Sequence, residues 1–206
     1  MKKLAATFVG ALALAGCGSV RYPTSYLLNL PAPTPQAAPT KAVLGPVAVR
    51  EFRCPEYLCE GRIVYRPSTE EVGFYEHHRW AMSPRQAITQ FMVDALRERS
   101  VFKSVTFHER GTDPAYVLTG NIERLEEVDQ GRDVRAVCTI SAQLLDVQTG
   151  SVVWNGTASE AVPIDTRNVA GVVSSLSAAA QNTVDRLIAS VANELKSRQA
   201  QFTAAR

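Results

Sequence analysis

Val134, Ala136, Cys138, Ile140, Ala142 and Leu144 fall at every second position of one continuous run, with Arg135, Thr139, Ser141 and Gln143 between them. A period of two sends alternate side chains to opposite sides of an extended chain, so this run predicts a long strand with one buried face. Such a face has to be covered. Further on, Val172, Leu176, Ala180, Thr183, Leu187, Val191 and Leu195 recur at spacings of three or four, which predicts a long amphipathic helix over about residues 168 to 198. Strand and helix together predict an α+β domain: an antiparallel or mixed sheet with two main helices packed on it. The helical stripe is read as lying across the sheet, although it has length enough to serve a partner or a second copy.

The remaining elements follow from the same periods and from turn residues. Tyr26 to Leu30, Val43 to Phe52, Arg62 to Arg66 and Val72 to Glu76 read as strands, the last two joined by a turn at Pro67-Ser68-Thr69. Gly45-Pro46 suggests that the second of these is an edge or carries a bulge. Ser83-Pro84 opens the other main helix, with Ser as cap, Pro at the first helical position, and Ile88, Phe91, Met92, Ala95 and Leu96 as its apolar stripe. Ser104 to His108 is a short strand. Tyr116 to Leu125, Val134 to Leu145 and Val152 to Ala158 form an antiparallel meander, turning at Asp129-Gln130-Gly131 and again at Asp146 to Gly150. Both halves of the chain run strands first and helix second, which suggests a duplicated plan without a visible sequence repeat.

How much of the chain can join this domain is set near its start. Lys2 and Lys3, the apolar stretch Leu4 to Leu14, and then Leu14-Ala15-Gly16-Cys17 have the order of a bacterial lipoprotein signal, and the apolar stretch is too short to span a bilayer. This resemblance implies that residues 1–16 are removed and that Cys17 carries the acyl chains. Stable anchoring needs at least two membrane signals, which a multiply acylated cysteine supplies. Gly18, where Asp would signal inner-membrane retention, favours the outer membrane, facing the periplasm. Residues 17–25 are then a lipidated end and tether, residues 26–200 a single domain and residues 201–206 a tail. Pro31, Pro33, Pro35 and Pro39 mark an extended connection inside it.

The chain carries 22 Lys+Arg and 20 Asp+Glu, and the signal removes two lysines and no acid, so the mature side chains balance. A neutral body without basic runs predicts no nucleic-acid partner. The chain shows neither a Gly-x-x-x-x-Gly-Lys-Ser/Thr loop nor a Gly-x-Ser-x-Gly elbow, and it has only three histidines. His77-His78 lie on one strand and point to opposite faces, so they do not readily share a metal. Neither a catalytic set, a cofactor nor a metal site is expected.

Three cysteines remain beside Cys17. Cys138 falls on the apolar face of its strand and reads as a buried, inert thiol. Cys54 and Cys59 are five apart, and Pro55 can start a turn that brings their Cα atoms within bridging range, so a structural disulfide is expected. Free surface thiols, or a metal site lacking its other ligands, are the other readings of the pair.

Tyr26-Leu27-Leu28 after a short tether, Pro55-x-Tyr57-Leu58, Arg62-Ile63-Val64-Tyr65, and Arg79-Trp80-Ala81 before the Pro84 helix start resemble the PqiC-like auxiliary lipoproteins of ABC-type transport systems. The resemblance implies a non-enzymatic outer-membrane subunit of an MCE/Pqi-type lipid transporter. Such a subunit docks the periplasmic MCE-domain protein, reaches the permease and ATPase only indirectly, and is compatible with a homo-oligomer. Tyr57, Leu58, Arg79 and Trp80 are candidates for the partner surface, since Trp, Tyr and Arg are enriched at binding hot spots; core packing is the other reading of Tyr57 and Trp80. The Cys54/Cys59 pair departs from the family pattern. A structural or assembly lipoprotein of another envelope complex is the alternative reading.

Overall fold

The computed structural model describes residues 22–31, 44–109, 111 and 113–204, with side chains to residue 197 in the last span. The signal segment, Cys17, and Pro33, Pro35 and Pro39 lie outside the described residues. In chain order the elements are β1 Thr24–Tyr26, β2 Val47–Val49, α1 Glu56–Cys59, β3 Arg62–Arg66, β4 Gly73–Trp80, α2 Pro84–Glu98, β5 Val105–Phe107, β6 Tyr116–Gln130, β7 Asp133–Asp146, β8 Val152–Pro163 and α3 Val169–Ala204. All eight strands form one open, mixed sheet. No helix among the described residues is long and apolar enough to cross a membrane.

β6 is the hub. One of its edges pairs antiparallel with β7, which pairs with β8, so the expected meander forms. Its other edge is shared, since β2 runs parallel to it at Tyr116, Val117 and Leu118 while β3 runs parallel to it at Glu127 and Val128. β5 flanks β2, and β4 and then β1 flank β3. Both halves of the chain end on a long helix, but their strands pair differently: the second half is a plain meander and the first is joined to it by parallel ladders.

Several elements differ from expectation for identifiable reasons. β2 is a central strand, not an edge. Pro46 precedes the ladder and uses only its carbonyl, which accepts from the N–H groups of Ala115 and Tyr116, so its missing N–H interrupts nothing. β4 continues to Trp80 because β1 supplies a partner for its last three residues. β1 itself lies earlier than expected, beginning inside the tether, and α3 continues past residue 200 into the expected tail. The β6–β7 turn is tighter than expected: pairing persists to Gln130 and Asp133, and Gly131, at φ 76°, takes the left-handed position. Ser83 sits at the cap position of α2, but its hydroxyl makes no capping bond.

The core lies between the sheet and the two long helices. Ile88, Phe91, Met92, Ala95 and Leu96 of α2 and Leu176, Ala180, Thr183, Leu187, Val191 and Leu195 of α3 are all buried, so both stripes are core. The Thr183 hydroxyl shares its proton between the Ala179 carbonyl of its own helix at 2.8 Å and the Cys138 carbonyl of β7 at 3.2 Å, and Arg99 ties the helices together through Asp185 at 2.8 Å.

Candidate interaction surface

α1 is a single turn opened by Pro55. Leu58 N–H donates to the Pro55 carbonyl at 3.0 Å and Glu60 N–H to the Glu56 carbonyl at 3.0 Å, which folds the chain back on itself. The turn leaves the Cα atoms of Cys54 and Cys59 6.3 Å apart, and the two sulfurs are bridged. It also drives Leu58 inward, where it is 3% exposed, and Trp80, across the Gly61 carbonyl, is 8% exposed. Both are core residues. This corrects the expected partner surface: of Tyr57, Leu58, Arg79 and Trp80, only Arg79 is fully at the surface, beside Glu60, Arg62, Phe74 and Glu76, and Tyr57 is half-buried against the core.

A polar cluster that no sequence motif marks lies next to this turn. The β6 register shifts between Ile122 and Arg124, so Glu123 is an extra residue and the alternation inverts beyond it. Leu125 thereby joins the core face, and the consecutive acids Glu126 and Glu127 go to opposite faces. The Glu126 side chain is fully buried between Arg66, which grips it with two bonds at 2.9 and 3.0 Å, and Arg124 at 2.7 Å. The bond to Glu126 is the main reason that the Arg66 guanidinium is held above its ordinary pKa; Tyr57 adds to it and burial opposes it. Glu127 accepts from the Tyr75 hydroxyl at 2.5 Å, and burial followed by this carboxylate raises the Tyr75 pKa.

From Tyr75 a line of half-buried rings continues toward the sheet edge. Tyr65 and Tyr75 are 5.3 Å apart, Tyr75 and His78 6.0 Å, and His78 and Tyr26 5.6 Å. His77 is exposed while His78 turns toward the rings, consistent with opposite faces of β4. Among the described residues no cluster of His, Cys, Asp and Glu could hold a metal ion.

Away from the helices, β6, β7 and β8 present a shallow, open depression. Thr119, Gln143 and Asn155 form one row across the three strands, and Asn121, Ser141 and Thr157 form the next. Arg50, Glu51 and Arg53 border it; Arg50 meets His108 at 3.2 Å and Glu51 meets Arg85 at 3.5 Å. The surface can offer hydrogen bonds to a polar partner, and no nucleophile and base are paired on it.

The family model described as the ABC-type transport auxiliary lipoprotein component matches residues 26–189. Among solved structures, protein XCC0632 from Xanthomonas campestris is similar, with 21% identity and a TM-score of 0.70 over 86% of this chain and 99% of that one. An uncharacterised protein shares 15% identity at a TM-score of 0.65 over 82% and 99%, and the hypothetical protein CT253 from Chlamydia trachomatis shares 9% at 0.51 over 73% and 97%. At these identities the likeness shows the fold alone. Among curated proteins none matches the sequence.

Proposed function

The chain belongs to the ABC-type transport auxiliary lipoprotein family, and from that premise we propose that it is the non-enzymatic outer-membrane subunit of an MCE/Pqi-type transporter, docking the periplasmic MCE protein for lipid transport between membranes. The observation that carries this reading is the family match, which spans the sheet and most of α3. The short tether supports it: Tyr22 follows Cys17 by five residues, which extended reach at most about 18 Å. A domain held that close to its membrane does not cross the periplasm, so a partner has to come to it.

The test is binding between the soluble domain from Tyr22 onward and the MCE-domain protein of its own operon, by pull-down and calorimetry, with hydrolase assays on the same preparation. Binding without turnover is the expected result; a folded domain that fails to bind, as monomer or oligomer, moves the reading to an assembly lipoprotein of another envelope complex. The anchor is tested separately. Cys17→Ser should abolish metabolic palmitate labelling and release the protein from the outer-membrane fraction, and undiminished recovery there would end the anchor argument.

A further inference from the structure

Five large apolar side chains stand out to solvent among the described residues, and three of them lie along the β1 edge: Tyr22 at 84% exposure, Leu27 at 57% and Met82 at 48%. Their grouping follows from the ladder. Tyr26 pairs with Trp80, and the Ala81 N–H donates to the Tyr26 carbonyl at 2.7 Å, so Leu27 and Met82 both follow the last paired residues at the same end of the β1–β4 ladder. Tyr22 enters β1 from the opposite end. Nothing among the described residues covers these side chains, although the other large apolar residues of β4 and α2, such as Trp80 and Phe91, are buried.

What lies beyond this edge is set by the chain. Tyr22 is five residues from Cys17 and Leu27 ten, so an anchor at Cys17 keeps the start of β1 within about 18 Å of the headgroups. The strand order runs from β1 through β4, β3, β6 and β7 to β8, which puts the far edge about 24 Å away at the usual strand spacing. We propose that the β1 edge, through Tyr22, Leu27 and Met82, rests on the bilayer that holds Cys17, with Tyr22 at headgroup level and the Leu27 and Met82 side chains dipping toward the acyl chains. The chemistry suits each place: a tyrosine is apolar in its ring and polar at its tip, as interfacial positions favour, and Leu and Met gain by leaving water. Because the mature side chains balance in charge, contact of this kind relies on apolar insertion and the anchor, and not on attraction to anionic lipid. The sheet then stands edge-on, with the β6–β8 meander directed away from the membrane.

The proposal rests on acylation at Cys17 and is independent of the MCE partner. Its test uses the full acylated protein in phosphatidylethanolamine/phosphatidylglycerol vesicles, with an environment-sensitive fluorophore attached at Leu27→Cys, Met82→Cys or, as control, Val152→Cys. Val152 is 45% exposed and belongs to the far edge, so it matches the others in exposure and differs in position. The expected result is a blue shift and quenching by spin-labelled lipid at 27 and 82, with neither at 152. Three results would overturn it: no quenching at 27 and 82 in protein that floats with the vesicles, equal quenching at 152, or the same blue shift in the unacylated Cys17→Ser protein in buffer without vesicles or detergent, which would mean that protein covers the edge. Failure to float would remove the anchor itself, and the proposal with it.

Discussion

Arg66 holds Glu126 with both ends of its guanidinium, Nε to Oε1 at 2.9 Å and Nη2 to Oε2 at 3.0 Å, and the carboxylate has no exposed surface. The pair fastens β3 to the far half of β6, where only two residues of each strand are in register. Few backbone bonds hold this junction, so the bidentate contact has an outsized part in it. Arg124 completes the cluster but is 40% exposed on its side chain, and its contribution is weakened by solvent.

Arg66→Ala should therefore destabilise the domain by about 3 kcal/mol, because it leaves a buried carboxylate with one partly solvated partner. For a domain of this size that is a fall in melting temperature of about 6–12 °C. Arg124→Ala should cost about 1 kcal/mol or less. Urea denaturation of the two variants ranks them, and equal effects would contradict the division of roles.

Gly120 supplies a packing test on the same strand. A Cβ at this position would stand 2.6 Å from the Phe52 ring, which is itself buried. Gly120→Ala should cost about 1–3 kcal/mol through overpacking. Combined with Phe52→Leu, which makes room, the two changes should destabilise by less than the sum of the single effects, and a double-mutant cycle measures the difference.

The outline of this fold was legible because its strongest signals are periodic. The alternation from Val134 to Leu144 and the stripe from Val172 to Leu195 both describe faces whose burial is local in cause, and both ended in the core. The short strands were less so. β2 has three residues, and its extent is decided by β5 and β6, neither of which is near it in sequence. The Arg66–Glu126–Arg124 cluster was hidden for a sharper reason: Glu123 bulges, and without that extra residue the alternation of β6 would send Glu126 toward the core face and Glu127 away from it. Leu58 and Trp80 resemble partner residues by type, since aromatic and apolar anchors serve interfaces and cores alike; the direction of the α1 turn assigns Leu58 to the core, and the place of Trp80 at the end of β4, paired with β1, assigns it there too.

That assignment separates two neighbouring residues on β4. Trp80→Ala should cost about 3–5 kcal/mol, the range for removing a buried large aromatic side chain. Arg79→Ala, exposed and without a hydrogen bond from its side chain to the described residues, should stay within about 0.5 kcal/mol. Any loss of partner binding by Arg79→Ala in a folded domain then reports contact rather than unfolding, and unchanged binding removes Arg79 from the partner surface. Thermal melts beside calorimetry on each variant check both statements.

Cys138 gives the soluble domain an alkaline weakness. Burial pushes its thiol up to about 12, with Thr183 opposing, whereas an unfolded thiol ionises near 9. The unfolded chain thus loses this proton first as pH rises. The stabilisation is complete below about pH 9 and is lost progressively up to about pH 12, an effect of up to about 4 kcal/mol. Tyr75, also raised, acts in the same direction. Cys138→Ala should be somewhat less stable at neutral pH yet lose less between pH 9 and 12, as seen in urea midpoints against pH. The same burial sets the labelling pattern expected by mass spectrometry without reduction: with Cys54 and Cys59 joined, one alkyl group attaches, at Cys138, and only after unfolding. Labelling of Cys54 or Cys59 in the native domain would show that the bridge is open.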